Sequence, residues 1–239
     1  MKDGISKSKL GIPDNRPSPI LVADHCGLDF LNSIGNPVDT LVEWIANGDA
    51  PNAAGFSYTF DNLSAHVEAL LLSVLGLKKF SIYVQDYGAP VGYRIASKHP
   101  EAIEAIVVQN GNAYVEGIGS AFDPMKPFWA KRNAETEKPV RALLTSETTA
   151  FQYTHGAKNT KQISPDNWTF DQIFLDRPGN AAIQLDLLYD YKSNLGQYER
   201  WHEYFRTSQP RMLILWGRTI RSSPSKARKP ISETWQRLN

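Results

Sequence analysis

Asp86 ends an apolar run, Phe80 to Val84, and is followed at once by Tyr87, Gly88, Ala89 and Pro90. A strand that turns abruptly into a helix presents one side chain at its tip, and small neighbours allow the sharp turn of such a nucleophile elbow. Gly88 and Ala89 meet that need; Val84 stands where a glycine is often found. The start of the following helix offers backbone N–H groups and partial positive charge, which favour an ionised carboxylate. The Tyr87 N–H is then placed to serve an oxyanion hole. A carboxylate so presented attacks an electrophilic carbon and forms an ester with the protein. Alkyl halides and epoxides are suitable electrophiles. A histidine, oriented by a second acid, must afterwards activate water to cleave that ester. Aspartate is also a good helix N-cap, so the Asp-x-Gly spacing alone leaves both readings open.

The elements that would position Asp86 follow from hydrophobic period. Ile20 to Ala23 reads as a short strand. Leu28, Leu31 and Ile34, and then Leu41, Val42 and Ile45, have helical spacing. Phe60, Leu63, Val67, Leu70, Leu71 and Val74 line one face of an amphipathic helix that Gly76 closes. Phe80–Val84, Glu104–Gly111 and Pro210–Gly217 read as buried strands, and Gly88 to His99 as a helix ended by Pro100. Helix and strand in alternation predict an α/β fold with a mostly parallel sheet. Residues 112–205 are helical in pattern and rich in aromatics, and read as an inserted cap. Residues 1–19 read as a flexible arm and 219–239 as a disordered basic tail.

A net charge of +1 over 239 residues gives no argument for binding nucleic acid or an anionic membrane. No apolar leader opens the chain and no run is long enough to span a bilayer. The single cysteine, Cys26, excludes an internal disulfide and a thiolate metal cluster. Its neighbour His25 is too close for a shared metal, so both are read as structural. The expectation is a cytoplasmic protein with no cofactor and no metal.

Residues 55 to 218 resemble the α/β-hydrolase superfamily, in the branch that holds haloalkane dehalogenases and epoxide hydrolases. The stretches that carry the resemblance are "FSYTFDNL", "LGLKKFSIYVQDYGAPVGYRIASKHPEAI", "VVQNGNAYVEG", "QYTHG", "RPGNAAIQLDLLYDY" and "PRMLILWGR". The resemblance implies that Asp86 is the nucleophile and Tyr87 N–H an oxyanion donor. It implies a small apolar organic substrate bound by cap aromatics, for which Trp129, Tyr153, Tyr189 and Tyr191 are the candidates. Cap tyrosines protonate the opening ring in epoxide hydrolases. Dehalogenases usually carry tryptophan directly after the nucleophile, where this chain has Tyr87.

The chain also departs from the family. No His-Gly-x-Pro precedes Asp86, and the family's Trp-Gly-x-x-Asp is replaced after Arg218, with no acid before Glu233. No histidine follows Gly217; the five present are His25, His66, His99, His155 and His202, of which His155 is the least remote substitute. The implied outcome is an impaired hydrolase. Loss of general-base help alone lowers turnover by roughly 10²–10⁴-fold.

Residues 20–50, through "LVADHCGLDFLNSIGNP" and "LVEWIANGDA", resemble the start of the ABATE domain of bacterial regulators. A single cysteine cannot supply the zinc finger that often accompanies it. A regulator-like beginning joined to part of a hydrolase suggests a rearranged gene, and the alternative reading is a non-enzymatic remnant or binding module. A shortened sheet also implies an apolar edge at Phe80–Val84, partly covered by Ile20–Ala23, and a route to self-association through that edge.

Overall fold

Four short apolar runs pair into one parallel sheet: β1 (Ile20–Ala23), β2 (Phe80–Gln85), β3 (Ile103–Gln109) and β4 (Arg211–Leu215), in that order across the sheet. The computed structural model describes residues 20–23 and 56–216. The expected arm at 1–19, most of the ABATE-like stretch and the tail at 219–239 lie outside the described residues. The register sets Ile82, Ile106 and Met212 in one row and Val84, Val108 and Ile214 in the next. Phe80, Ile82, Val84, Ile106 and Val108 are fully buried.

The helix after β2, α2 (Gly88–Lys98), lies against this face, and α1 (Phe60–Glu68) packs on α2. Contact between α2 and β2 is close because Gly92 has no side chain. A Cβ there would meet Val84 Cγ1 at 2.5 Å and Ile82 Cδ1 at 3.3 Å. Overpacking a buried seam of this kind costs about 1–3 kcal/mol. Gly92→Val is therefore expected to lower stability by about 2–3 kcal/mol, read as a fall in the urea midpoint. An unchanged midpoint would show that the helix tolerates a wider separation from the sheet.

The helical insertion between β3 and β4 contains α3 (Met125–Ala130), α4 (Ala134–Arg141), α5 (Ser146–Thr154), α6 (Asp166–Leu175), α7 (Asn180–Asp190), α8 (Lys192–Leu195) and α9 (Tyr198–Ser208). It joins the core through Phe128, Leu185, Leu187, Trp201 and Phe205, all buried. Its helix starts are locally encoded. Asn133, for example, caps α4 by accepting from the Glu135 and Thr136 N–H groups, while Thr136 Oγ1 accepts from Asn133 N–H.

Two expectations need correction. The amphipathic helix does not run evenly to Val74. From Ala69 to Val74 the backbone widens into a π-helix, and Val74 ends 73% exposed while Leu71 is buried. The wider turn shifts the side-chain period, so a residue counted onto the apolar face at normal spacing rotates off it. Gly76, at φ +63°, then ends the segment as expected.

Nor is β2 buried on both faces: Ser81, Tyr83 and Gln85 are only half-buried. Strand order follows chain order, so both described crossovers, β2 to β3 and β3 to β4, run the same way. Right-handed crossovers in one direction place their helices on one face of the sheet. The expected cover of the β2 edge by Ile20–Ala23 is present. β1 pairs with β2 from Ser81 to Val84. Among the sheet residues whose burial is described, the exposed large apolar ones lie on β4, at Leu213 (54%) and Leu215 (42%).

Candidate active site

The turn between β2 and α2 holds Asp86 at φ +43°. For a residue with a Cβ this left-handed region is uncommon and costs energy. Two contacts hold the turn. The Ala89 N–H donates to the Asp86 carbonyl at 3.1 Å. Gly111, just beyond β3, leaves space for the first turn of α2, since a Cβ on Gly111 would lie 2.5 Å from Ala89 Cβ. Val84, in the place of the usual glycine, is accommodated from the other side by Gly92. The helix-start position falls on Tyr87 rather than Asp86. Asp86 is exposed, and Tyr87 is half-buried.

Above the elbow sits Tyr191, 8% exposed. Its ring is the hub of an aromatic cluster: Tyr87 at 5.9 Å, Phe60 at 5.8 Å, Phe122 at 5.4 Å, and Trp129 stacked at 5.9 Å with an interplanar angle of 6°. Burial drives the Tyr191 hydroxyl well above its ordinary range, and the Tyr198 hydroxyl, the Asp86 carboxylate and Tyr87 push it further the same way. It is therefore a neutral phenol at physiological pH, within electrostatic reach of Asp86.

The segment around Tyr191 is tightly pinned. Asp190 Oδ2 accepts from the Phe60 N–H at 2.7 Å and from Ser193 Oγ at 3.2 Å. Burial raises the Asp190 carboxyl, against the Phe60 N–H, the Ser193 hydroxyl and the charge of Arg94. Arg94 of α2 is 8% exposed. Its Nε donates to Asp61 Oδ1 at 2.6 Å, Nη1 to the Pro90 carbonyl at 3.1 Å and Asn194 Oδ1 at 2.5 Å, and Nη2 to Ser193 Oγ at 3.2 Å. The elbow helix and the segment carrying Tyr191 are thus one polar construction.

Of the residues expected in the site, the fold brings Tyr87, Trp129 and Tyr191 together. Trp129 turns its Nε1–H to the Leu188 carbonyl at 2.8 Å. Tyr189, two residues before Tyr191, packs on Phe128 at 5.2 Å with the Lys192 ammonium 3.5 Å above its ring. Tyr153 donates to Asp171 Oδ2 at 2.6 Å, bridging α5 and α6. Arg94, Asn112 and Tyr198 were not singled out from sequence. Arg94 and Asn112 lay inside stretches that carry the resemblance, "LGLKKFSIYVQDYGAPVGYRIASKHPEAI" and "VVQNGNAYVEG", and Tyr198 lay in none.

The four described histidines have neighbours of their own. His66 Nδ1 bonds the Asn62 carbonyl at 2.8 Å. His99 lies against Glu68 and Glu101. His155 is exposed and stacks on Phe151 at 4.4 Å. His202 Nε2 bonds the Ala113 carbonyl at 2.8 Å, and its ring stacks on Tyr114 at 4.0 Å. Among the described residues no group of three or more His, Cys, Asp or Glu side chains could hold a metal ion, and no helix is long and apolar enough to cross a membrane.

A parallel sheet, an Asp with positive φ at the tip of an inner strand and a helical block inserted before the last described strand are the features of a shortened α/β-hydrolase fold. An uncharacterised hydrolase of Saccharomyces cerevisiae, YNR064C, is 34% identical over 181 residues, which cover 70% of this chain and 62% of that protein. The chain thus spans less than two thirds of this relative's length. A hydrolase from Oleispira antarctica superposes with a TM-score of 0.61 at 10% identity, over 92% of this chain and 80% of the other. A point mutant of haloalkane dehalogenase DatA from Agrobacterium tumefaciens C58 superposes with a TM-score of 0.54 at 17% identity, over 92% and 88% of the two chains. No protein-family profile matches the chain.

Proposed function

We propose that the chain is a hydrolase-type protein whose Asp86 attacks the carbon of an epoxide or haloalkane to form an alkyl-enzyme ester, which it releases slowly. The observation that carries this reading is Asp86 held at φ +43° at the strand tip, next to Tyr87, whose ring lies 5.9 Å from that of Tyr191. The carboxylate oxygen bonds to carbon. An epoxide C–O bond breaks and its oxygen takes the Tyr191 proton, which water later restores; a haloalkane simply loses halide.

Two features favour the epoxide. Tyr191 supplies the proton that an epoxide oxygen needs. Trp129 has its indole N–H committed to Leu188, and Tyr87 replaces the family tryptophan, so neither offers an indole N–H to a departing halide. Slow release is supported by the partners of the four described histidines: His66 and His202 bond backbone carbonyls, His99 lies against Glu68 and His155 stacks on Phe151. The exposure of Asp86 also leaves its carboxylate partly hydrated, which weakens it as a nucleophile.

Intact-mass spectrometry after incubation with styrene oxide or 1-bromohexane tests the proposal. The expected spectrum shows one added epoxide, or one hexyl group in place of hydrogen, persisting over hours. Rapid steady turnover without adduct would contradict the slow-release step. An unmodified mass with neither turnover nor adduct would leave the chain a non-enzymatic remnant.

A further inference from the structure

Asp190 reaches across 130 positions of sequence to accept the Phe60 N–H at 2.7 Å. Phe60 opens α1 and is fully buried, so this N–H has no acceptor inside its own helix and no access to water. The helix start has its own cap in Thr59, whose Oγ1 accepts from the Asn62 N–H at 3.2 Å. The ring of Phe60 stands edge-on to Tyr87 at 5.2 Å and to Tyr191 at 5.8 Å, each with an interplanar angle of 87°. A second route runs from the same carboxylate. Ser193 Oγ donates to Asp190 Oδ2 at 3.2 Å, and Arg94 Nη2 donates to Ser193 Oγ at 3.2 Å. Arg94 Nη1 then donates to the Pro90 carbonyl, in the first turn of α2, at 3.1 Å. Both routes meet at the elbow, one on the ring of Tyr87 and the other on the backbone of Pro90.

We propose that Asp190 is a positioning residue that fixes the elbow turn, and with it Asp86, by holding Phe60 against Tyr87 and Arg94 against Pro90. The proposal rests on the reading of Asp86 as nucleophile. A residue at φ +43° keeps that conformation only where its surroundings over-determine it. The turn supplies one support itself, the bond from Ala89 N–H to the Asp86 carbonyl. The two routes from Asp190 add restraints from outside, one on the residue that follows Asp86 and one on the helix start. Positioning of this kind is worth rate, since a misplacement of about 1 Å at a reacting atom costs up to roughly 10²-fold.

The sequence offers a direct probe, because Tyr87–Gly88 is its one Tyr-Gly pair. Protein carrying ¹³C at the tyrosine carbonyls and ¹⁵N on glycine therefore gives a single carbonyl-to-amide cross-peak, and it belongs to the elbow peptide. Asp190→Ala is expected to shift or split this cross-peak. Asp190→Asn, whose amide oxygen can still accept the Phe60 N–H, is expected to bring it back near the native position. Thr59→Ala removes the ordinary cap of α1 and leaves Asp190 in place, and is expected to leave the cross-peak unmoved. Should Asp190→Ala fail to fold, Phe60→Leu decides the same question: it keeps the backbone bond and removes the ring between Asp190 and Tyr87, and is expected to shift the cross-peak.

In parallel, Asp190→Ala is expected to slow adduct formation with styrene oxide and with 1-bromohexane alike, by about tenfold, because both reagents meet the same displaced carboxylate. An unmoved cross-peak in the variant that cuts the route, an equal shift in Thr59→Ala, or slowing with only one reagent overturns the proposal. If the native protein forms no adduct with either reagent, the nucleophile reading fails, and the cross-peak still decides whether Asp190 sets the turn.

Discussion

Asp86→Asn is expected to abolish adduct formation with both styrene oxide and 1-bromohexane, a loss of about 10³-fold or more, the scale seen when a nucleophile is removed from a site whose other parts remain. The amide is nearly isosteric, but it carries no charge to donate to carbon. Asparagine also adopts positive φ more readily than most residues, so the turn at φ +43° is retained. The variant should melt within about 1 kcal/mol of the native protein, the ordinary range for a surface substitution. Mass spectrometry and a melting curve on the same sample therefore separate lost chemistry from lost fold. An adduct that persists in Asp86→Asn would place the reactive group elsewhere in the chain.

Arg94→Met is expected to have the largest effect on stability. The guanidinium is buried, and burial pulls it down while Asp61 holds it up. It serves Asp61, Pro90, Asn194 and Ser193 at once and lies over the rings of Phe60 and Trp201 at 5.7 and 5.6 Å. Breaking a buried ionic network by removing one member costs about 3–5 kcal/mol. Asp61 is 72% exposed and can be solvated in the variant, which reduces the loss. The remaining penalty, chiefly the buried Asn194 and the half-buried Ser193 left without a donor, is about 2–4 kcal/mol. For a chain of this length that lowers Tm by about 4–16 °C. Arg94→Lys is not expected to rescue it, because a single ammonium cannot reproduce the planar fork that meets these acceptors. A change of less than about 1 °C on Arg94→Met would show that the network stores no net stability.

The legibility of the site in the sequence follows the range of the interactions involved. The elbow was readable because its requirements are local: an apolar strand, one acid, small residues, then a helix within thirteen positions. The role of Gly92 was not, because the space it provides belongs to Val84, eight residues away on another element. Tyr191 and Tyr189 were indistinguishable as aromatics two residues apart. At the end of α7 they turn to different neighbours, Tyr191 to Tyr87 and Trp129, Tyr189 to Phe128 and Lys192. Nothing in the sequence marked Arg94. Its partners at 193 and 194 are about a hundred residues distant and no periodicity announces them.

The sequence by itself determined the elements, their parallel pairing and the identity of the acid at the turn, because strand and helix periods and the size of turn residues are properties of neighbouring positions. Only the tertiary structure decided which tyrosine packs against Tyr87 and which face of the inner strand the elbow helix covers. Those depend on crossovers and contacts between residues far apart in the chain, where sequence order carries no distance.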